Sequence, residues 1–377
     1  MRLLALRLRD FRNIEAADLE PGPRATVIVG PNGQGKTNLL EAVYLLATLK
    51  PLRTARLSEL PRFGTRACRV EGAFELGSAR RVIGVQIEDG VRQALVDGKK
   101  VRDLEDYFGG VAVVAFTPDD LAVVKGGPEV RRRFLDRAVF NRFPAFLGES
   151  RTYARALKSR NRLLKEQTPA EVIEAFDEPL ARAGARIVIR RRRLLAELAP
   201  RFDEVLGRLS RGQLRGRLRY APPVVEGAEE EGEVARRLLE ELARRLPRDR
   251  ERGFTSVGPH ADQLSIKLGD RPARTYASQG QQRALVLALK IAEIENLREM
   301  LGFQPLLLLD DVSSELDRER NAQLMDYLAS LDGQVLLSTT DPSLVAAAAG
   351  PDARFFAVRD GVFTPLDRAA VEGPPDA

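Results

Sequence analysis

The 377-residue sequence has a single cysteine, Cys68, and no tryptophan. A lone cysteine cannot close an intrachain disulfide, so nothing supports folding in an oxidising compartment. No window offers the roughly eighteen uninterrupted apolar residues of a membrane span. The opening MRLLALRLRDF alternates like a strand and lacks the apolar core and cleavage site of a secretory signal. Internal repeats and sustained heptads are also missing. With 44% apolar and 30% charged residues, the composition is that of a soluble globular protein, expected in the cytoplasm and away from membranes.

Charge is present in excess of one sign but unevenly. The chain carries a formal net charge of +6. Residues 131–165 hold eleven Lys/Arg against two carboxylates, Asp136 and Glu149, a local balance of +9. Residues 224–251 hold nine acids against six arginines. Local basicity of the first kind suits a polyanion such as nucleic acid.

Residues 30–37 read GPNGQGKT, a full match to the phosphate-binding pattern G-x-x-x-x-G-K-[ST]. The β-branched run Ala25–Val29 before it predicts a buried strand. Leu39, Leu40, Val43, Leu46 and Ala47 after it recur at helical spacing. Gly30, Gly33 and Gly35 free the backbone N–H groups around Pro31, Asn32 and Gln34 to wrap phosphate oxygens at a helix N-terminus. Lys36 is placed for the β- and γ-phosphates, and the Thr37 hydroxyl for Mg2+. The expected ligand is ATP with Mg2+.

Further along, 68–76, 80–88 and 91–96 read as strands, with a turn at Asp89-Gly90, and Val111–Phe116 is another apolar run. From 128 to about 207 the chain is arginine-studded and mostly free of strand signals, and Pro144, Pro169, Pro179 and Pro200 are expected to divide it into several helices. Strand-like runs return at Leu264–Leu268, Pro305–Leu309 and Gln334–Ser338. The division expected is one nucleotide-binding lobe built from 1–127 and 252–366, a helical basic insertion at 128–251, and a disordered tail at 367–377.

Leu306–Leu309 ends in Asp310 and Asp311, a buried strand running into acids. Asp310 would hold Mg2+, and Asp311 would polarise the attacking water. Ser278-Gln279-Gly280 opens an apolar helix containing Ala284, Leu285, Leu287, Ala288 and Ile291, a second phosphate-binding device. A polar cap on a core helix is the alternative. One phosphate group rarely needs two such helices from one subunit, so Ser278, Gln279 and Gly280 are assigned to the ATP of a partner subunit.

This ordering resembles the ATP-binding-cassette ATPases, within them the SMC-like chromosome and repair ATPases, and most closely the RecF family of DNA replication and repair proteins. The resemblance rests on LRLRDFRNIEAADLEPGPRATVIVGPNGQGKTNLLEAVYLLA, on TPDDLAVVKGGPEVRRRFLDRAV at 117–139, and on three motifs further on. These are SVGPHADQLSI (256–266), YASQGQQRALVLALKIAEIE (276–295) and LLLLDDVSSELD (306–317), the last including a D-loop-like stretch. It implies an α/β cassette-type P-loop ATPase head, a mixed sheet with helices, joined to a largely helical lobe. It also implies a slow, DNA-stimulated ATPase that dimerises on ATP and binds single- and double-stranded DNA. Loading of recombinase at gaps, RecR and RecO as partners, and a link to the SOS response follow from the same resemblance. Three departures from the general cassette pattern stand out. Asp311 replaces the usual catalytic glutamate; Ser338-Thr339-Thr340-Asp341 lies where a switch histidine is common; and 117–120 holds no Q-loop glutamine.

Arg151, Arg155, Lys158, Arg162 and Lys165 recur at steps of four and three, one continuous stripe on a helix. Such an array suits sequence-independent phosphate contact. Arg182, Arg186, Arg190 and Arg193 form a second, weaker stripe. His260, the chain's only histidine, suits a structural turn, DNA contact or the ATP interface, and Arg53 or Arg56 suits phosphate or a surface pairing. A transporter ATPase subunit is disfavoured by the missing switch histidine and the basic insertion. An SMC-type tether is disfavoured because 128–251 is too short for a long antiparallel coiled coil.

Overall fold

The computed structural model describes residues 1–53, 56–101, 107–108, 111–220, 222–312 and 316–368. The chain divides into two compact units, Met1–Leu121 with Leu297–Ala377, and Ala122–Asn296.

In the first unit, the apolar runs become the parallel strands of one sheet. These are β3 (Ala25–Val29), β8 (Val113–Phe116), β12 (Leu306–Asp310), β13 (Val335–Thr339) and β14 (Arg354–Arg359), and β15 (Val362–Leu366) closes the edge antiparallel to β14. The order is β15-β14-β3-β13-β12-β8. Residues of β8, β12 and β13 are buried throughout, which is why their sequences run apolar instead of alternating.

A second, antiparallel sheet has the order β2-β1-β4-β5-β6-β7, from β1 (Arg2–Phe11), β2 (Ile14–Leu19), β4 (Ala67–Leu76), β5 (Ala79–Glu88), β6 (Val91–Val96) and β7 (Lys99–Lys100). Its strands alternate, with one side turned to the core. The predicted turn at Asp89-Gly90 has positive φ at both residues, the tight-hairpin geometry this pair favours. The helix Lys36–Thr48 packs against strands of both sheets, and its Leu39, Leu40, Val43, Leu45 and Leu46 are buried in one cluster with Leu8, Val70, Leu308 and Leu336. Cys68 is buried in this core, where desolvation pushes its thiol up to about 12, an inert group.

The second unit is mainly helical: Pro128–Arg142, Phe146–Lys165, Ala170–Glu174, Asp177–Leu209 and Glu231–Arg252. It also contains a small sheet in the order β11-β10-β9, from β9 (Gly216–Tyr220), β10 (Leu264–Leu268) and β11 (Arg271–Pro272).

Two expectations change here. The sequence reading placed 252–296 with the nucleotide lobe, but antiparallel pairing of β10 with β9, a strand not foreseen, groups these residues with the helical unit. Pro200 was expected to break a helix and instead lies inside Asp177–Leu209. Burial of Leu198, Phe202, Val205 and Leu206 on either side of it outweighs the lost hydrogen bond. The expected tail falls almost wholly on 369–377, outside the described residues, as do Ser313–Glu315 of the D-loop-like stretch.

Candidate nucleotide site and basic helix face

The glycine-rich loop leaves β3 and enters the helix Lys36–Thr48 at Gly35. Its glycines have separate reasons to be glycines. A Cβ at Gly30 would sit 2.6 Å from the Val358 carbonyl oxygen, so β14 passes too close for any side chain. Gly33 and Gly35 have φ of 82° and 117°, in the left-handed region that other residues rarely adopt. Pro31, Asn32 and Gly33 are exposed, whereas Gly35 and Lys36 are buried.

The Lys36 ammonium donates to Gly30 O at 2.7 Å, Pro31 O at 3.1 Å and Asn32 Oδ1 at 3.2 Å. Burial lowers its pKa, while the charges of Asp311 and Asp310 oppose that shift. The loop thus holds a desolvated cation at the N-terminus of a helix, the electrostatic complement of a polyphosphate.

Thr37 Oγ1 donates to Asp310 Oδ1 at 2.7 Å, joining the phosphate loop to the end of β12. Ser338 Oγ, one strand over on β13, donates to the same oxygen at 2.9 Å and accepts from Asp311 N at 3.0 Å. Parallel register places Asp310 opposite Ser338. Asp311 has φ of 51°, a left-handed conformation that aspartate tolerates better than most residues. In the sequence Ser338 closed a strand-like run where a switch histidine is common, whereas here its hydroxyl bonds the Asp310 carboxylate and the Asp311 backbone. The available signal was positional: polar residues at the carboxyl ends of adjacent buried parallel strands gather at one edge of the sheet.

A hydroxyl beside a carboxylate is a hard-oxygen donor pair that fits Mg2+, with phosphate and water completing the shell. Among the described residues no cluster of three or more His, Cys, Asp and Glu side chains offers an independent metal site.

Two turns brace the loop, and sequence reasoning missed both. Gln34 O accepts from Asn13 Nδ2 at 3.1 Å and from Gly361 N at 2.9 Å, and Gln34 Oε1 accepts from Asp360 N at 2.7 Å. Asn13 Oδ1 in turn accepts from Asn38 Nδ2 at 2.8 Å. At 117–120, where no glutamine was found, Asp120 folds back and accepts from Thr117 N at 2.9 Å. Arg56 pairs with Glu59 at 3.8 Å, and Arg53 is exposed.

In the helical unit, Ser278 precedes the helix Gln279–Leu301. Gln281 N donates to Ser278 Oγ at 3.3 Å, and Ser278 N donates to Gln281 Oε1 at 2.8 Å. This reciprocal pair is a capping box, so Ser278 already has a local role. Ser278 and Gln279 are exposed and Gly280 is partly so.

All five members of the basic stripe, Arg151, Arg155, Lys158, Arg162 and Lys165, are exposed on the helix Phe146–Lys165. Arg162 pairs loosely with Glu166 at 3.5 Å. The second stripe is largely neutralised: Arg182 pairs with Glu178 at 2.5 Å, Arg186 with Glu231 at 3.1 Å and Arg190 with Glu149 at 3.0 Å. Arg160, counted in the basic run, points inward and is fully buried. It donates to Asp177 at 2.6 Å, Asp249 at 3.0 Å and Thr255 Oγ1 at 2.9 Å. His260 joins this network: its Nε2 donates to Thr255 O at 3.0 Å, which leaves Nδ1 to accept from the Tyr153 hydroxyl at 2.6 Å. Burial lowers its pKa and keeps it neutral.

A family profile described as RecF/RecN/SMC N terminal domain matches residues 2–362. The Smc head bound to the C-winged helix domain of ScpA overlays 97% of this chain and 98% of its own with a TM-score of 0.54 at 16% identity, a likeness of fold alone. Fold and profile define an ATP-binding-cassette-type ATPase of the SMC-like class. The DNA replication and repair protein RecF of Myxococcus xanthus (strain DK1622) is 61% identical over 380 residues, covering 100% of both chains. That of Anaeromyxobacter sp. (strain Fw109-5) is 57% identical over 368 residues, 97% of this chain and 100% of that protein. A structure of the recombination mediator protein RecF-ATPrS in the RecFOR pathway covers 97% of this chain and 98% of its own, with a TM-score of 0.88 and 31% identity. The chain belongs to the RecF family of DNA replication and repair proteins.

Proposed function

We propose that the protein is a slow, ATP-switched DNA clamp of recombinational repair. The single observation that carries the reading is the 2.7 Å bond between Thr37 and Asp310, flanked by buried Lys36 and by Ser338. It brings the two halves of an ATP site into one hydrogen-bonded group. Gly30 to Thr37 hold the triphosphate, and Thr37 and Asp310 hold Mg2+, which supplies charge neutralisation at the phosphates. Asp311 orients the attacking water, and its short arm favours slow turnover that DNA stimulates.

Ser278, Gln279 and Gly280 cap the ATP of a second copy, so ATP joins two chains head to tail with two composite sites. The basic face of Phe146–Lys165 contacts single- and double-stranded DNA through phosphates, without sequence preference. A relative solved with ATP is described as a recombination mediator protein of the RecFOR pathway, which supports a role in recombination. Family resemblance adds help in loading recombinase at gaps alongside RecR and RecO, a part in the SOS response, and action in the cytoplasm. No helix is long and apolar enough to cross a membrane.

Sedimentation with and without Mg-ATP, and with and without DNA, tests the reading. The expected result is a dimer that forms only with ATP and is lost in Ser278→Arg. Loss of the cap costs about 1 kcal/mol, too little to unfold the chain. A Ser278→Arg protein that dimerises as the parent does would remove the composite site from this account.

A further inference from the structure

The C-terminal end of the helix Glu231–Arg252 delivers one apolar side chain to the edge of the basic stripe. Gly253 ends that helix in the left-handed region, with φ of 73°, and its N–H donates to Asp249 O at 2.8 Å. A Cβ at Gly253 would lie 3.4 Å from Cγ of Lys165. Two residues on, Thr255 is buried, and its N and Oγ1 both donate to Asn161 Oδ1, at 2.8 Å and 2.7 Å. Asn161 lies one turn after Lys158 and one turn before Lys165, so it borders both on the helix surface. Phe254 is therefore fixed between two anchored neighbours beside the last turns of Phe146–Lys165. Gln167 Nε2, just past that helix, donates to Arg250 O at 3.0 Å and ties the two helix ends together.

Phe254 is 46% exposed. A phenyl ring left in water is stabilised by burial against another flat apolar surface. Around it cations are in excess. Lys158, Lys165 and Arg252 are exposed and, among the described residues, form no ion pair. The exposed acids of the two helix ends are Glu166, already paired with Arg162 at 3.5 Å, and Glu251, whereas Asp249 is buried against Arg160. A flat apolar ring beside unpaired cations complements a polyanion that presents flat apolar faces, which is unpaired nucleic acid. Duplex DNA hides those faces in its stack, and an acidic peptide supplies the charge without a row of rings.

We propose that Phe254 is a stacking platform for an unpaired base of single-stranded DNA whose phosphates lie along Lys158, Arg162 and Lys165. This role rests on the DNA contact proposed above for that helix and adds the group that separates single strand from duplex. Phosphate contacts alone read the two alike. A base reaches the ring only where it has no complement to hold it in a stack, as in a gap. The anchored backbone at Gly253 and Thr255 holds the ring in place before DNA arrives, so little freedom is lost on binding.

The test is binding of the full-length parent, Phe254→Ala and Phe254→Trp to labelled oligothymidylate and to a duplex of equal length, by fluorescence anisotropy at several salt concentrations. Circular dichroism confirms folding. Phe254→Ala is expected to bind the single strand about tenfold more weakly, the scale of one lost base stack. Its duplex affinity and both salt slopes should stay unchanged, because no charge is removed. The parent has no tryptophan, so Phe254→Trp reports from this position alone, and its emission should be quenched by the single strand and not by the duplex. If Phe254→Ala binds both DNAs as the parent does, or loses both equally, the stacking role is overturned. Tryptophan emission that ignores the single strand overturns it too, and decides alone if Phe254→Ala does not fold. In either case the basic face stands so long as reversing Arg151, Arg155 and Lys158 to glutamate still weakens binding. DNA binding that survives that reversal unchanged overturns the basic face and, with it, the place of the base.

Discussion

Lys36, Asp310 and Asp311 are three neighbouring charges held in different ways, and the proposed site gives each a separate test. Lys36 is 5% exposed, and burial lowers its pKa while the charges of Asp311 and Asp310 act against that shift. Lys36→Met should weaken ATP binding by at least about tenfold in a protein that still folds, as read by equilibrium nucleotide binding. Asp310 is bonded to Thr37 and Ser338, whereas only the backbone N–H of Asp311 is held by Ser338. Asp310→Asn should therefore lower Mg2+ affinity, while Asp311→Asn keeps Mg-ATP and slows single-turnover hydrolysis. Equal losses of metal affinity would contradict that division. His260 supplies a pH test at the same scale. Its folded pKa lies below the unfolded 6.5, so the unfolded chain takes up more protons. Its contribution is full above about 6.5 and is lost as pH falls through the folded value. Melting temperatures should fall less between about pH 7 and 5 in His260→Gln than in the parent.

The helix Phe146–Lys165 is an element with two unlike sides. Its exposed side carries the basic stripe, and its buried side carries Tyr153, Leu164 and the fully buried Arg160. Arg160→Met leaves Asp177 and Asp249 buried without their cation and should cost about 3–5 kcal/mol in denaturant unfolding. Arg162→Ala, exposed and loosely paired, should stay within about 0.5 kcal/mol. Reversing Arg151, Arg155 and Lys158 to glutamate should weaken DNA binding and reduce its salt slope by roughly 0.9 per lost duplex phosphate contact, with ATP affinity unchanged. Unaltered affinity and slope would move DNA elsewhere on the protein. The spacing of the stripe was legible because helical period alone selects a face. That Arg160 belongs to the other face was also implicit in that period, but its role was not, since Asp177, Asp249 and Thr255 come from distant sequence.

For the whole molecule, the composite-site reading predicts a particular arithmetic of mixtures. Lys36→Met damages the phosphate loop and Ser278→Arg the surface opposite it, so a mixed dimer retains one intact site of two. Equimolar mixing should recover at most about half of the parent's ATP turnover per mixed dimer, although neither variant alone turns over ATP. Absence of any recovery on mixing would indicate that each chain holds a complete site by itself. The sequence reading and the structure part company on the division of the chain. Hydrophobic period identified β10 as a strand, but its partner of equal length, β9, reads GRLRY and is too charged to announce itself.

By itself the sequence determined that GPNGQGKT lies between a buried strand and a helix, that β12 ends in Asp310 with Asp311 next, and that five cations share one helical face. These are local facts, set by side-chain period, by the φ that glycine permits and by adjacency along the chain. Tertiary structure alone decided that Thr37 and Ser338 meet on one oxygen of Asp310, that Asn13 and the Asp360–Gly361 turn brace Gln34, that Arg160 is a core residue, and that 252–296 joins the helical unit. Each of these depends on which distant elements pack together and, for the sheet residues, in what register their strands pair. That choice comes from burying the apolar surface of segments hundreds of residues apart, and no local window carries it.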